Sequence, residues 1–190
     1  REERGRTPPR GRAGQQGGGA AVGPLIGARS ADQQADLFRD IDGPRRGRLL
    51  KTLNDQTREG LRKLLAYRPE TAGGIMTTEF VGVPATWTVE KTLQYIRDVG
   101  RAKETVYAVF ILDPTTQAVI QVASLRELLV ADRTKPVTSA ADRRPPLTVT
   151  PETDREDAAR IISKYNLLAL AVVDPERRML GIVTVDDVID

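Results

Sequence analysis

From residue 80 to its end the chain carries one pattern twice. In the first copy Thr88-Val89-Glu90 opens a helical spacing (Leu93, Ile96). An apolar run at 106–112, an Asp113-Pro114 turn, a second run at 119–123 and the helix opener Ser124-Leu125-Arg126-Glu127 follow. In the second copy Thr153-Asp154-Arg155-Glu156 opens the helix (Ala158, Ile161, Ile162). Then come a run at 168–173, an Asp174-Pro175 turn, a run at 180–183 and Thr184-Val185-Asp186-Asp187. Corresponding residues lie 65 apart at the helix and 60 or 61 apart over the hairpin, the difference falling in the loop at 100–105. Thr88 and Thr153 have the character of N-caps, each followed by apolar residues at helical intervals. A doubled helix, strand, strand, helix unit predicts two similar lobes packed on a common axis.

Before this repeat, residues 31–67 show a second and shorter period. Leu37, Leu49 and Leu61 lie twelve apart, as do Ile41, Leu53 and Leu65, with Gly43-Pro44 and Asn54-Asp55 between them. The pattern predicts a stack of short helices, each too short to be stable unless its Leu stripe is buried against the next.

Composition excludes several kinds of chemistry. The chain has no Cys and no His, so it holds no disulfide, no thiolate nucleophile, no Cys/His zinc site and no imidazole base. No phosphate loop, dinucleotide fingerprint or nucleophile elbow occurs, and the reading is of a protein that is not an enzyme. The longest apolar run, 106–112, is far short of the roughly 20 residues of a bilayer span, which predicts a soluble stretch of polypeptide. The first residue is Arg rather than Met, which reads as an excised or incomplete chain.

The formal charge of +3 belongs to one end. Residues 1–30 hold six Arg against Glu2 and Glu3, together with eight of the 16 Gly and no aromatic residue. Such a segment buries too little apolar surface to offset its ordering entropy, and a disordered Arg/Gly-rich tail is expected. With no aromatic interleaving, no nucleic-acid partner is expected.

Acidic residues gather in the second copy: Asp154, Glu156 and Asp157 open one helix, and Asp186, Asp187 and Asp190 open another. Helix capping is one explanation, because the helix N-terminus favours carboxylates. Ligation of a hard cation is the other. Mg2+ prefers oxygen donors, keeps several waters and needs only one or two carboxylates. Trp87, Phe80, Tyr95 and Phe110 read as core or junction packing, Met76 as a gap-filling core residue, and Arg143-Arg144-Pro145-Pro146 as an exposed linker between the copies.

The doubled unit resembles a tandem pair of CBS domains. The block Pro69-Glu70-Thr71-Ala72-Gly73-Gly74-Ile75-Met76-Thr77-Thr78-Glu79-Phe80, lying between short helices and the first copy, resembles the junction of MgtE-type magnesium transporters. Trp87-Thr88-Val89-Glu90, Lys164-Tyr165, Leu167-Leu168-Ala169-Leu170 and Gly181-Ile182-Val183-Thr184-Val185-Asp186-Asp187-Val188-Ile189-Asp190 match as well. The resemblance implies an α+β fold: a disordered tail (1–30), a partial superhelical N domain of short helices (31–79), and a Bateman module of two βαββα-like CBS lobes (80–140 and 141–190).

It also implies a function, that of the Mg2+-sensing regulatory region on the cytoplasmic side of the cell membrane. There Mg2+ bridges acidic interdomain surfaces and favours the closed state. The implied partners are a second copy, joined through the CBS domains, and a transmembrane pore in the same polypeptide. Carried over by position, the metal ligands fall on Asp154, Glu156, Asp187 and Asp190, with a backbone carbonyl from Gly74. Asn166 stands where the family usually has Asp. Nucleotide is the competing ligand, since some members bind ATP. The Ser/Thr-x-x-Asp ribose element corresponds to Thr184 and Asp187 in the second copy and to Ser124 and Glu127 in the first, while Gln121 replaces a common Gly. The alternative function is a stand-alone soluble CBS sensor of adenine nucleotides.

Overall fold

The structure, a computed structural model, describes residues 31–103 and 105–189, so the Arg/Gly-rich segment and Asp190 lie outside the described residues. Three short helices come first: α1 (Ala31–Arg39), α2 (Gly43–Thr52) and α3 (Asp55–Leu65). Their boundaries follow from local chemistry. The Asp42 side chain accepts from the Arg45 N–H at the start of α2, where Pro44 suits the first turn, and the Asn54 side chain accepts from the Thr57 N–H at the start of α3. Arg46 and Arg58, also twelve apart, each place a guanidinium on carbonyls at the end of the preceding helix. Arg46 donates to Ile41 O at 3.0 Å, and Arg58 to Leu50 O and Leu53 O at 2.9 and 2.8 Å. Cations there satisfy orphan carbonyls and oppose the negative end of the helix dipole. α1 packs on α3 with Phe38, Leu61 and Leu64 fully buried, whereas α2 buries no residue completely.

A single-turn helix α4 (Ala72–Ile75) leads into the first lobe: β1 (Val81–Pro84), α5 (Val89–Val99), β2 (Ala108–Leu112), β3 (Val119–Ser124) and α6 (Leu125–Val130). The second lobe repeats it as β4 (Thr148–Val149), α7 (Arg155–Tyr165), β5 (Ala169–Val173), β6 (Met179–Thr184) and α8 (Val185–Ile189). The sheets are ordered β1-β2-β3 and β4-β5-β6. In each, the leading strand runs parallel to the next and the last pair is an antiparallel hairpin. The mixed α/β architecture is the one expected, but the leading strands carry no period of their own. β1 has four residues and β4 two, and only parallel pairing across a helix crossover creates them.

The central strands β2 and β5 are buried on both faces, with only Leu112 at the end of β2 partly exposed, and each face belongs to a different core. In β2, Val109 and Ile111 join Leu93, Ile96 and Leu128 in the first lobe, while Ala108 and Phe110 face the second sheet. In β5, Ala169, Ala171 and Val173 face the first sheet. Leu170 and Val172 turn the other way, into a core shared with Phe38, Leu61, Leu64, Ala72 and Met76. Thus the helical segment and the second lobe are held by one apolar cluster.

Two local expectations change. The N-cap of α7 is Asp154, whose Oδ1 accepts the Glu156 N–H at 2.8 Å, and not Thr153. Thr153 gives its carbonyl to the Ala72 N–H (2.7 Å) and its Oγ1 to the Thr150 N–H (3.2 Å), so the start moves one residue on. The helices therefore begin 66 residues apart, at Val89 and Arg155. In the hairpins Gln117 and Arg177 both adopt positive φ and donate backbone N–H bonds to Asp113 O and Asp174 O. One extra residue separates the first pair, which accounts for the offsets of 60 and 61. The Asp113 carboxyl is held below its ordinary value by the Thr116 and Thr115 backbone N–H groups. Burial pushes Asp174 up, but hydrogen bonds from the Arg178 backbone and guanidinium outweigh it.

Candidate functional site

The Gly73-Gly74 turn is clamped onto the second lobe by backbone bonds. The Ala72 N–H donates to Thr153 O (2.7 Å), the Gly73 N–H to Pro151 O (2.8 Å) and the Arg155 N–H to Glu70 O (2.9 Å), while Thr77 and Ile182 exchange a pair. Both glycines are buried, and the closeness of the chains explains them. A Cβ on Gly73 would lie 2.7 Å from the Tyr67 ring and 2.9 Å from Pro151, and one on Gly74 would collide with the Arg68 carbonyl oxygen. The first lobe receives the equivalent clamp from the linker before the second. The Val89 N–H donates to Lys135 O and the Val137 N–H to Trp87 O. Each lobe is thus closed by the segment that leads into the other.

The sequence-derived ligands gather only partly at this seam. Asp154 is exposed, with one oxygen used as a cap, and is bridged to Thr71 in the turn. Glu156, also exposed, is 3.6 Å from Arg160, which pairs more closely with Asp157. Asp187 Oδ2 accepts from the Thr184 N–H (2.8 Å) and hydroxyl (2.7 Å), and the Arg155 guanidinium reaches Asp187 O at 3.3 Å. The Gly74 carbonyl accepts from Arg39 Nη1 at 2.8 Å. Among the described residues no three acidic side chains converge in an arrangement that could hold a metal ion. Asn166 closes α7 in the left-handed conformation (φ 50°), which Asn tolerates better than most residues.

Sequence reasoning passed over Asp36 and Arg39. Arg39 Nη1 takes Asp36 Oδ1 at 2.6 Å as well as Gly74 O, and Nη2 takes Leu64 O at 3.2 Å. Arg46 and Arg58 follow the twelve-residue period, but at 70 that period gives Glu. The end of α3 is capped instead by an Arg from α1, which no local pattern announces.

The nucleotide candidates are engaged locally. Ser124 and Glu127 form a capping box: the Glu127 N–H donates to Ser124 Oγ at 3.1 Å, and Glu127 Oε2 accepts the Ser124 N–H at 2.7 Å. Thr184 and Asp187 make the related contact at α8. None of the four lines the cleft between the lobes, a pocket of about 370 Å3 walled by Phe110, Val122, Tyr165, Leu167 and Ala169, with Asp142, Arg144, Pro145, Pro146 and Leu147 at its lip. Arg143-Arg144-Pro145-Pro146 is therefore more than an exposed connector, since Arg144 and the two prolines form part of a concave wall. Gln121 Nε2 donates to Thr138 O and Asp142 O (3.3 and 3.2 Å), fastening this linker to β3. Arg144 grips Asp142 at 2.6 and 2.8 Å and so holds that carboxyl below its ordinary range. The other aromatics pack edge to face, Phe80 on Phe110 and Trp87 on Tyr95.

Residues 137–190 match the family model described as CBS domain. The chain is similar to the magnesium transporter MgtE of Thermus thermophilus, 39% identical over 85% of this chain and 36% of the relative. It is likewise 39% identical to that of Enterococcus faecalis, over 68% of this chain and 28% of the relative. It spans about a third of the length of these curated relatives. Among solved structures it matches the crystal structure of the cytosolic domain of the Mg2+ channel MgtE in complex with ATP. The TM-score is 0.85 and the identity 35%, covering 89% of this chain and 68% of that one. Among the described residues no helix is long and apolar enough to cross a membrane.

Proposed function

The chain belongs to the MgtE family of magnesium transporters, and from that premise we propose that it is the cytosolic Mg2+-sensing regulatory region of such a transporter. In this reading residues 31–79 are a partial helical N domain, and residues 80–140 and 141–190 are two CBS domains. The pore belongs to the rest of the polypeptide, and the region lies on the cytoplasmic side of the membrane. Its role is regulatory, not enzymatic. In this reading the metal ligands are the carboxylates of Asp154, Glu156, Asp187 and Asp190 and the carbonyl of Gly74. A divalent cation there supplies positive charge between acidic surfaces. Without it, two carboxylates about 5 Å apart repel by roughly 3 kcal/mol at an effective dielectric near 20. The ion favours the compact, closed arrangement because it binds that arrangement better.

The observation that carries this reading is the shared apolar cluster and backbone clamp between the helical segment and the second lobe. A seam of that kind lets a charge change at its rim act on the placement of a whole domain. A second copy as partner through the CBS lobes is part of the same reading, and Tyr107, Leu129, Val130, Leu168 and Ile189 are exposed apolar residues on those lobes that such a partner would cover. The interlobe cleft favours ATP as an additional modulator, because an aromatic wall and an Arg at the lip suit a base and its phosphates.

Small-angle scattering of the 190-residue chain, with chelator and with millimolar Mg2+, tests the proposal. The radius of gyration is expected to fall with Mg2+. In a chain carrying Asp154→Asn, Glu156→Gln, Asp187→Asn and Asp190→Asn it is expected not to respond. An equal radius in all conditions overturns the Mg2+ reading, and calorimetry with ATP then decides for or against the nucleotide sensor.

A further inference from the structure

We infer that Arg39 is a tethered cation that does at the Gly74 carbonyl what the proposed ion would do there, so that docking of the helical segment at this point does not wait for Mg2+. The inference rests on the Mg2+ reading above and concerns the division of labour among its ligands. One nitrogen, Arg39 Nη1, holds an oxygen of Asp36 at 2.6 Å and the Gly74 carbonyl oxygen at 2.8 Å. A carboxylate of the helical segment and a carbonyl of the turn clamped to the second lobe thus share one positive centre, the arrangement a bridging divalent ion creates. The second guanidinium nitrogen reaches Leu64 O at the end of α3. The Arg39 side chain is only 15% exposed, whereas Asp36 is 68% exposed. The cation is therefore sheltered from screening while its carboxylate partner faces water.

Three features separate this contact from an ordinary surface ion pair. It joins α1 and the end of α3, both in the helical segment, to the Gly73-Gly74 turn, which is hydrogen-bonded to the second lobe. It uses the planar fork of Arg, which serves several acceptors at once where Lys serves one centre. It also breaks the pattern of Arg46 and Arg58, each of which caps the helix immediately before it. Arg39 reaches from the first helix to the last and on to the seam. The Gly74 carbonyl is consequently satisfied without an ion, and the Mg2+ response of this chain falls to Asp154, Glu156, Asp187 and Asp190. Arg39 is a positioning residue.

The test is hydrogen exchange of the full chain, with chelator and with millimolar Mg2+, followed in the segment 70–77, whose amides cross the seam. Protection of this segment in the unaltered chain is expected to respond less to Mg2+ than it does in Arg39→Gln. In Arg39→Gln, exchange is expected to accelerate roughly tenfold in chelator, the effect of losing charge-assisted hydrogen bonds, and to return to the original rate with Mg2+. Residues 108–112 of β2, which belong to the other cores, serve as the folding control. Should Arg39→Gln expose them too, Arg39→Lys takes its place with the same expectation at smaller amplitude. Unchanged exchange at 70–77 in chelator overturns the inference, as does acceleration that Mg2+ leaves in place while still compacting the unaltered chain. If Mg2+ alters neither chain in any segment or in its radius of gyration, the Mg2+ reading has failed and the inference with it. That outcome is distinct from a failure of Arg39 alone.

Discussion

Thr77 and Ile182 exchange two backbone hydrogen bonds, each 2.9 Å long, so the segment leaving the helical part is paired with the last strand of the second lobe. Gly181 makes the approach possible. A Cβ there would lie 2.7 Å from Thr77 O and 2.8 Å from the Met76 sulfur. Gly181→Ala is therefore expected to lower stability by about 1–3 kcal/mol, the usual range for overpacking, measured by denaturant unfolding. Gly60→Ala makes the contrast. Gly60 sits inside α3 with nothing within 4 Å of its would-be Cβ, and the substitution is expected to add up to about 1 kcal/mol.

Asp154 serves as helix cap and as proposed ligand, and two substitutions separate these roles. Asp154→Ala removes both and is expected to cost about 1 kcal/mol in chelator. Asp154→Asn keeps a capping oxygen but loses the charge, so stability in chelator is expected to hold while the stabilisation by added Mg2+ shrinks. Thermal unfolding of both variants with and without Mg2+ makes the comparison. A full Mg2+ response in Asp154→Asn removes this residue from the ligand set.

Phe38 ties α1 to the core of the second lobe. Phe38→Ala is expected to cost about 3–5 kcal/mol. Because the first lobe has its own core, hydrogen exchange should rise in α3 and β5 before it rises in β2.

The Asp142 carboxyl is held below its ordinary value by the Arg144 guanidinium and by the Arg144 N–H. A carboxyl depressed in the folded state contributes stability above its unfolded pKa and loses it as the pH falls through the folded one. The grip on the cleft's lip is therefore complete at neutral pH and is released only in acid, below about pH 4. Arg144→Gln is expected to raise the titration midpoint of Asp142 toward the ordinary value, read by carbon NMR of the carboxyl. An unmoved midpoint would show that Arg144 is not the cause.

Much of the architecture was legible in one dimension. The repeated runs at 106–112 and 168–173 supply the central strands β2 and β5 because residues apolar in succession need burial on both faces; the other sheet covers one face and a separate core the other, while Tyr107 and Leu168 near the run starts stay exposed. Thr88 and Ser124 cap as their spacing announces, since a cap is a contact between residues three apart. The twelve-residue Leu period marks the short helices for a similar reason.

What tertiary structure alone decided lies where partners are far apart in the chain. Two-residue β4 exists only because β5 runs beside it. The cleft takes its lip from a linker that composition marks merely as polar and Pro-rich. The N-cap moves from Thr153 to Asp154 because Ala72, some eighty residues earlier, draws the Thr153 carbonyl into the seam. Arg39 meets Gly74 across 35 positions, and nothing near either residue signals the other. A sequence records propensities set by neighbours within a few residues. The closure of helices and lobes around shared cores then selects which distant donors and acceptors meet, and at this seam that choice gives the Gly74 oxygen to the Arg39 guanidinium.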